Sequence, residues 1–116
     1  DGWCPIDVNP KFPIDSPERL SDGMDLLSHY AEEAGRSSNE IEIIYRTHRL
    51  ELFMSPHKSS IRPQFVENSE QVAGDICRYQ EIGVNNLMVD IARISPTLED
   101  MLGKMEDFAS KVWPRV

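Results

Sequence analysis

Twice in this chain a stretch with helical apolar spacing ends at a glycine and leads into a β-branched stretch. Ala34-Gly35 leads to Ile41–His48, and Ile82-Gly83 leads to Val84–Ile91. Helices that alternate with strands in this way place the strands parallel, joined by right-handed crossovers. The predicted class is therefore α/β, with a parallel sheet and helical connections.

The flanking signals mark each element. Ser16 is a good N-cap, Pro17 fits the first helical position, and Glu18 suits the positive end of the helix dipole. Leu20, Met24, Leu27, Ala31 and Ala34 then recur on one helical face, which Leu26 and Tyr30 widen, and Gly35 stops the helix. Ile41–His48 reads as a strand. Leu50 to Met54 extends it or forms a second short strand, and residues 55–67 form a loop with two prolines. Asn68 with Gln71 makes a variant capping box for a second helix, whose stripe is Val72, Ile76 and Tyr79. In Val84–Ile91 the successive apolar residues Leu87, Met88 and Val89 predict burial on both faces of the sheet. Thr97 with Asp100 caps a last helix carrying Leu98, Met101, Leu102, Met105, Phe108, Ala109 and Val112, and Pro114 stops it. Residues 1–15, with Pro5, Pro10 and Pro13, read as extended or turning chain, and Asp1-Gly2-Trp3 as the end of a strand. Met24, Met88, Met101 and Met105 fall on faces read as core packing. Two or three parallel strands leave open edges beside three helices. The sheet is expected to be completed by further chain or by a partner.

Composition narrows the function classes. The chain has 116 residues, 40% of them hydrophobic, and a formal charge of −8. That is the make-up of one globular domain, and the acidic balance argues against a nucleic-acid partner. No apolar run approaches the ~18 residues of a membrane span. No basic-then-apolar leader opens the chain. Cys4 and Cys77 do not make a disulfide framework, which points to a reducing, cytoplasmic compartment. His29, His48 and His57 lack ligand spacing, so no metal site is expected. Trp3-Cys4-Pro5 looks like the start of a thioredoxin-type motif, but the second cysteine is missing and the prolines forbid the helix that would activate the thiol. The chain begins at Asp1 rather than Met, as expected of a processed product or a piece of a longer protein.

Four stretches, in order and spacing, resemble the C-terminal part of the luciferase-like monooxygenases, the flavin- and deazaflavin-dependent oxidoreductases. They are Asp1-Gly2-Trp3; Ser16-Pro17-Glu18-Arg19-Leu20 through Ala31-Glu32-Glu33-Ala34-Gly35-Arg36 to Ile41-Glu42-Ile43; Asn68-Ser69-Glu70-Gln71-Val72 through Glu81-Ile82-Gly83-Val84-Asn85-Asn86-Leu87; and Pro96-Thr97-Leu98-Glu99 to Phe108 and Pro114-Arg115. The resemblance covers nearly all of the chain outside residues 49–66. It implies that residues 1–116 are part of a (β/α)8 TIM barrel, about units six to eight, with the N-terminal part of the domain absent. It implies a coenzyme F420 (deazaflavin) or FMN cofactor, a small-molecule substrate and a homodimer of the full-length protein. The helix beginning Glu70-Gln71-Val72-Ala73 and the closing helix look closest to the deazaflavin branch. Two departures stand out: Glu67 where the family has Gly before the helix cap, and Ser69 where it has Pro. The family's Gly-Gly-[Ser/Thr] phosphate loop would lie upstream of Asp1, so the isolated chain is expected to be inactive.

In such a barrel the working face lies at the C-terminal ends of the strands. That selects Trp3, Cys4 and Arg46 as candidates for cofactor binding, His48 for catalysis, and Arg49, Asp90 and Arg93 for substrate or anion binding. Each has a plainer alternative. Trp3 stacks on a flavin-like ring or packs under a loop. His48 handles a proton or is a hydrogen-bonded strand histidine. Asp90 orients a ligand or pairs with Arg46 or Arg93. Arg46, Arg49, Lys58 and Arg62, with His48 and His57 and Glu51 the one acid among them, attract an anion or form a solvated loop with acidic neighbours. The rival functional class is a non-enzymatic α/β module that self-associates through its open strand edges. A response-regulator-like domain fits less well, because no acidic pair follows an early strand.

Overall fold

The computed structural model describes residues 1–52 and 62–116. Strand β1 is Gly2–Trp3, helix α1 Pro17–Glu33, strand β2 Glu42–Thr47, strand β3 Glu51–Leu52, strand β4 Val66–Glu67, helix α2 Ser69–Glu81, strand β5 Asn86–Val89 and helix α3 Leu98–Asp107. Helix α3 continues as a π-helical turn over Phe108–Val112 and a 3-10 turn over Trp113–Arg115. Among the described residues no helix is long and apolar enough to cross a membrane.

The same joint is used after α1 and after α2. Gly35, at φ +72°, and Gly83, at φ +103°, take the left-handed conformation that a Cβ disfavours. The Arg36 and Val84 N–H groups then bond back to the carbonyls of Ala31, at 2.8 Å, and Tyr79, at 3.1 Å. This satisfies helix-end carbonyls and turns the chain sharply toward the sheet. At the opposite ends, the Arg19 N–H donates to Ser16 Oγ, and Asn68 and Gln71 form the capping box that their spacing predicts.

Strands β1, β2 and β5 form a parallel sheet in that order, with β2 central. Trp3 lies beside Ile43, Tyr45 beside Leu87 and Thr47 beside Val89. These side chains join Leu20, Met24 and Leu27 of α1, Val72, Ile76 and Tyr79 of α2, and Phe108 and Val112 in a single core, Thr47 lying buried at its edge. Burial of one such large apolar side chain contributes about 1.5–3 kcal/mol. Among the described residues, the helices that reach the core thus lie on one face of the sheet, and the other carries exposed Glu42, Asn86 and Met88 with half-buried Ile44 and Arg46.

This corrects the expectation that β5 is buried on both faces. Leu87 and Val89 face the core, while Met88 is 48% exposed. Met105 is likewise half exposed, so neither methionine packs in the core as expected. Leu98 and Leu102 on α3 are also exposed, and with Met105 they form an uncovered stripe. A second correction concerns residues 55–67, expected to be loop throughout. Val66–Glu67 pairs in parallel with Glu51–Leu52 as a separate two-stranded sheet. The expected strand extension at Met54, and the Lys58 and His57 part of the basic loop, lie outside the described residues.

Two polar groups fix the core. Tyr45 and Tyr79 stack at 4.4 Å. The Tyr45 hydroxyl donates to the Ile14 carbonyl and accepts from Gln64 Nε2, and the Tyr79 hydroxyl donates to Gln64 Oε1. Burial pushes the Tyr45 phenol up to about 12. The buried Asp75 carboxylate takes both terminal nitrogens of Arg62, at 2.7 and 2.6 Å, the Phe65 N–H at 2.7 Å and Arg78 at 2.5 Å. Burial works to raise Asp75, but these donors outweigh it and hold the carboxyl below its usual range.

Candidate functional site

The C-terminal ends of β1, β2 and β5 converge on a polar cluster. After Trp3 the chain stays beside β2: the Arg46 N–H donates to the Pro5 carbonyl and the Asp7 N–H to the Arg46 carbonyl. That register brings Asp7 to the end of β2. Its side chain is fully buried and that of His48 is 8% exposed. Asp7 accepts from Thr47 Oγ1 at 2.8 Å and from the His48 backbone N–H at 3.0 Å, and it bonds to His48 Nδ1 at 2.8 Å. The tautomer of the His48 ring sets the direction of the last of these bonds.

The other ring nitrogen, Nε2, stands 3.4 Å from Asp90 Oδ2. Asp90 follows β5 directly, and its N–H donates to the Thr47 carbonyl at 2.9 Å. It is also paired with the guanidinium of Arg46. The Arg46 hydrogen bond above all, with the Arg93 backbone N–H and the charges of Arg46 and His48, holds Asp90 below the usual carboxylate range against partial desolvation. The cluster runs inward from Arg46, 38% exposed, through Asp90 and His48 to Asp7. Such an arrangement can hold a proton on His48 and keep an anion beside it.

The expected site residues divide. His48, Arg46 and Asp90 come together, with Asp90 in the ion pair named as its alternative. Cys4 is exposed and Arg93 is exposed on the short turn Ile91–Ile94. Arg49 is half-buried, and its N–H donates to Thr47 Oγ1. Trp3 is turned the other way: its ring lies so close over Gly23 of α1 that an added Cβ would stand 2.7 Å from Cη2. Its indole thus packs on the covered face of the sheet. Arg62, from the basic loop, is engaged with Asp75 and lies 3.9 Å from Glu67.

Asp7 escaped the sequence reading. It sits in a proline-rich stretch, and its partner His48 lies 41 positions away. The one signal was an acid between apolar neighbours, Ile6 and Val8.

The larger cavities lie elsewhere. One of about 580 Å³, mostly apolar, is lined by Ile76, Tyr79, Leu87, Met105, Phe108 and Trp113. Another of about 550 Å³ lies between Leu50–Leu52 and α3. Their size alone does not outweigh the buried polar chemistry at the strand ends. Among the described residues no group of three or more His, Cys, Asp or Glu could hold a metal ion.

Fold and site together define a parallel α/β domain with helices on one sheet face and a histidine–carboxylate cluster at the strand C-terminal ends. Comparison with known protein families, curated proteins and solved structures returns no match.

Proposed function

We propose that this chain is the C-terminal portion, about units six to eight, of a luciferase-like (β/α) barrel oxidoreductase. The observation that carries this reading is the one-sided packing of helices on the sheet among the described residues. Three parallel strands stand in chain order, and α1, α2 and the π-helical turn after α3 contribute to one core. A doubly wound sheet would have helices on both faces. A barrel has them on the outside only, with functional groups at the strand C-terminal ends. A further observation supports it: Glu67 takes φ +122°, a glycine conformation, where the family pattern has glycine.

The residues present fit part of a flavin or deazaflavin site. Cys4 is exposed, Arg46 is half-buried, and the buried Arg46 Nε is a donor without an acceptor among the described residues. The Trp3 ring packs on Gly23 and is left out of this cofactor contact. When bound, the cofactor supplies hydride transfer or oxygen activation. This chain would supply an anion contact through Arg46, with Arg49 three positions on and Arg93 on the turn that follows β5, and proton handling through His48. The substrate is a small molecule.

The test is to read the coding frame upstream of Asp1 and to titrate the full-length product with FMN and coenzyme F420. A frame completing a barrel of about 250 residues, with a Gly-Gly-[Ser/Thr] loop and saturable binding of either cofactor, supports the reading. A full-length product binding neither overturns it.

A second reading is favoured by the exposed apolar stripe of α3 and by the outer edges of β1 and β5, which pair with no strand among the described residues. In it the chain is a self-associating module without catalytic activity. A monodisperse dimer of the 116-residue chain that melts cooperatively would support that reading.

A further inference from the structure

We infer that Asp7 is the positioning residue of the cluster: it fixes His48 as the Nδ1–H tautomer and makes Nε2, facing Asp90, the atom that exchanges protons. Two carboxylates compete for the imidazole. Asp7 stands 2.8 Å from Nδ1 and also holds the His48 backbone N–H, so ring and main chain are gripped by one buried group. Asp90 stands 3.4 Å from Nε2 and is already engaged by Arg46. A neutral imidazole has one N–H, and the shorter charge-assisted bond takes it. Nε2 is then the base. In the imidazolium both nitrogens donate, one to each carboxylate. When the proton leaves Nε2, the bonding pair stays there as a lone pair, Asp7 takes no proton, and the proton passes to a basic ligand atom at the strand ends. Thr47 Oγ1, bonded to Asp7 at 2.8 Å, keeps the carboxylate from rotating away.

The inference deepens the enzymatic reading by naming the atom that would carry the proton, but its geometry stands without any cofactor. The experiment is therefore made on the 116-residue chain. Two-bond proton–nitrogen NMR correlations of the 15N-labelled protein report the tautomer of His48 in its neutral form. The expected result is an Nδ1–H population favoured at least about tenfold, as one charge-assisted hydrogen bond supplies. Asp7→Asn hands the advantage to Asp90, so the majority becomes Nε2–H. Asp90→Asn leaves Nδ1–H in place, and Asp7→Glu restores it at least in part. A wild-type Nε2–H majority overturns the inference, whether or not the variants fold. So does an imidazole that stays doubly protonated wherever the chain is folded, because Nε2 then has no lone pair. A full-length product that binds neither FMN nor coenzyme F420 would defeat the oxidoreductase reading and leave this tautomer result standing.

Discussion

Glycine 23 has no freedom of backbone to offer in α1; what matters is the space it leaves. The Trp3 ring fills that space, and a methyl there meets the ring at 2.7 Å. Gly→Ala in a helix ordinarily gains about 0.8–1 kcal/mol. At Gly103 in α3, where nothing lies within 4 Å, Gly103→Ala is expected to gain about that much. At Gly23 the overlap reverses the sign, and a loss of about 1–2 kcal/mol is expected. Urea unfolding of both variants measures the contrast; equal gains would mean that Trp3 does not pack there. Glu67 presents the opposite case. Its φ of +122° costs a side-chain-bearing residue about 1–3 kcal/mol, offset in a glycine variant by about 0.5–1 kcal/mol of added chain freedom. Glu67→Gly should therefore raise stability by about 1 kcal/mol, read as a higher urea midpoint. Neither Gly23 nor Glu67 was legible from propensity, because one depends on a ring twenty positions away in sequence and the other on a backbone angle.

At the scale of elements, Asp75 ties α2 to the segment that carries β4. Its folded carboxyl lies below the unfolded value of 3.8. The folded state therefore releases this proton more readily, and the stabilisation is present above that value and lost as pH falls through the folded one. Asp75→Asn should lower the urea midpoint at neutral pH, by an amount equivalent to about 3 kcal/mol for a broken buried pair. It should also flatten the loss of stability below pH 3.8. An unchanged acid limb would show that other carboxylates set it. The helices and their joints were legible because caps and glycines act locally: Ser16, Gly35, Asn68, Gly83 and Thr97 do what their spacing says. Strand β4 was not, since two residues that follow a left-handed Phe65 carry no alternation. Nor was the one-sided packing, because Leu87-Met88-Val89 reads the same whether Met88 is covered or exposed. In the polar cluster, His48, Arg46 and Asp90 could be placed from strand ends. Asp7 could not, because only the parallel register brings it there.

For the molecule as a whole, the stripe of Leu98, Leu102 and Met105 is the feature most at odds with an isolated domain. Because Leu102 contributes little burial in the chain as it stands, Leu102→Lys should change unfolding free energy by no more than about 0.5 kcal/mol. It should reduce concentration-dependent association in sedimentation runs. At a net charge of −8 that association should strengthen as salt screens repulsion. A variant that unfolds instead would place the stripe inside the core.

Chain order in the sheet has a consequence for how the protein is made. β1, β2 and β5 lie side by side in the sequence in which they are synthesised, and the helix between each pair folds back on the strands that it connects. Each unit thus finds its partner in what has just left the ribosome, and the principal sheet needs no strand inserted between earlier ones. Its assembly can keep pace with translation, one strand and one helix at a time.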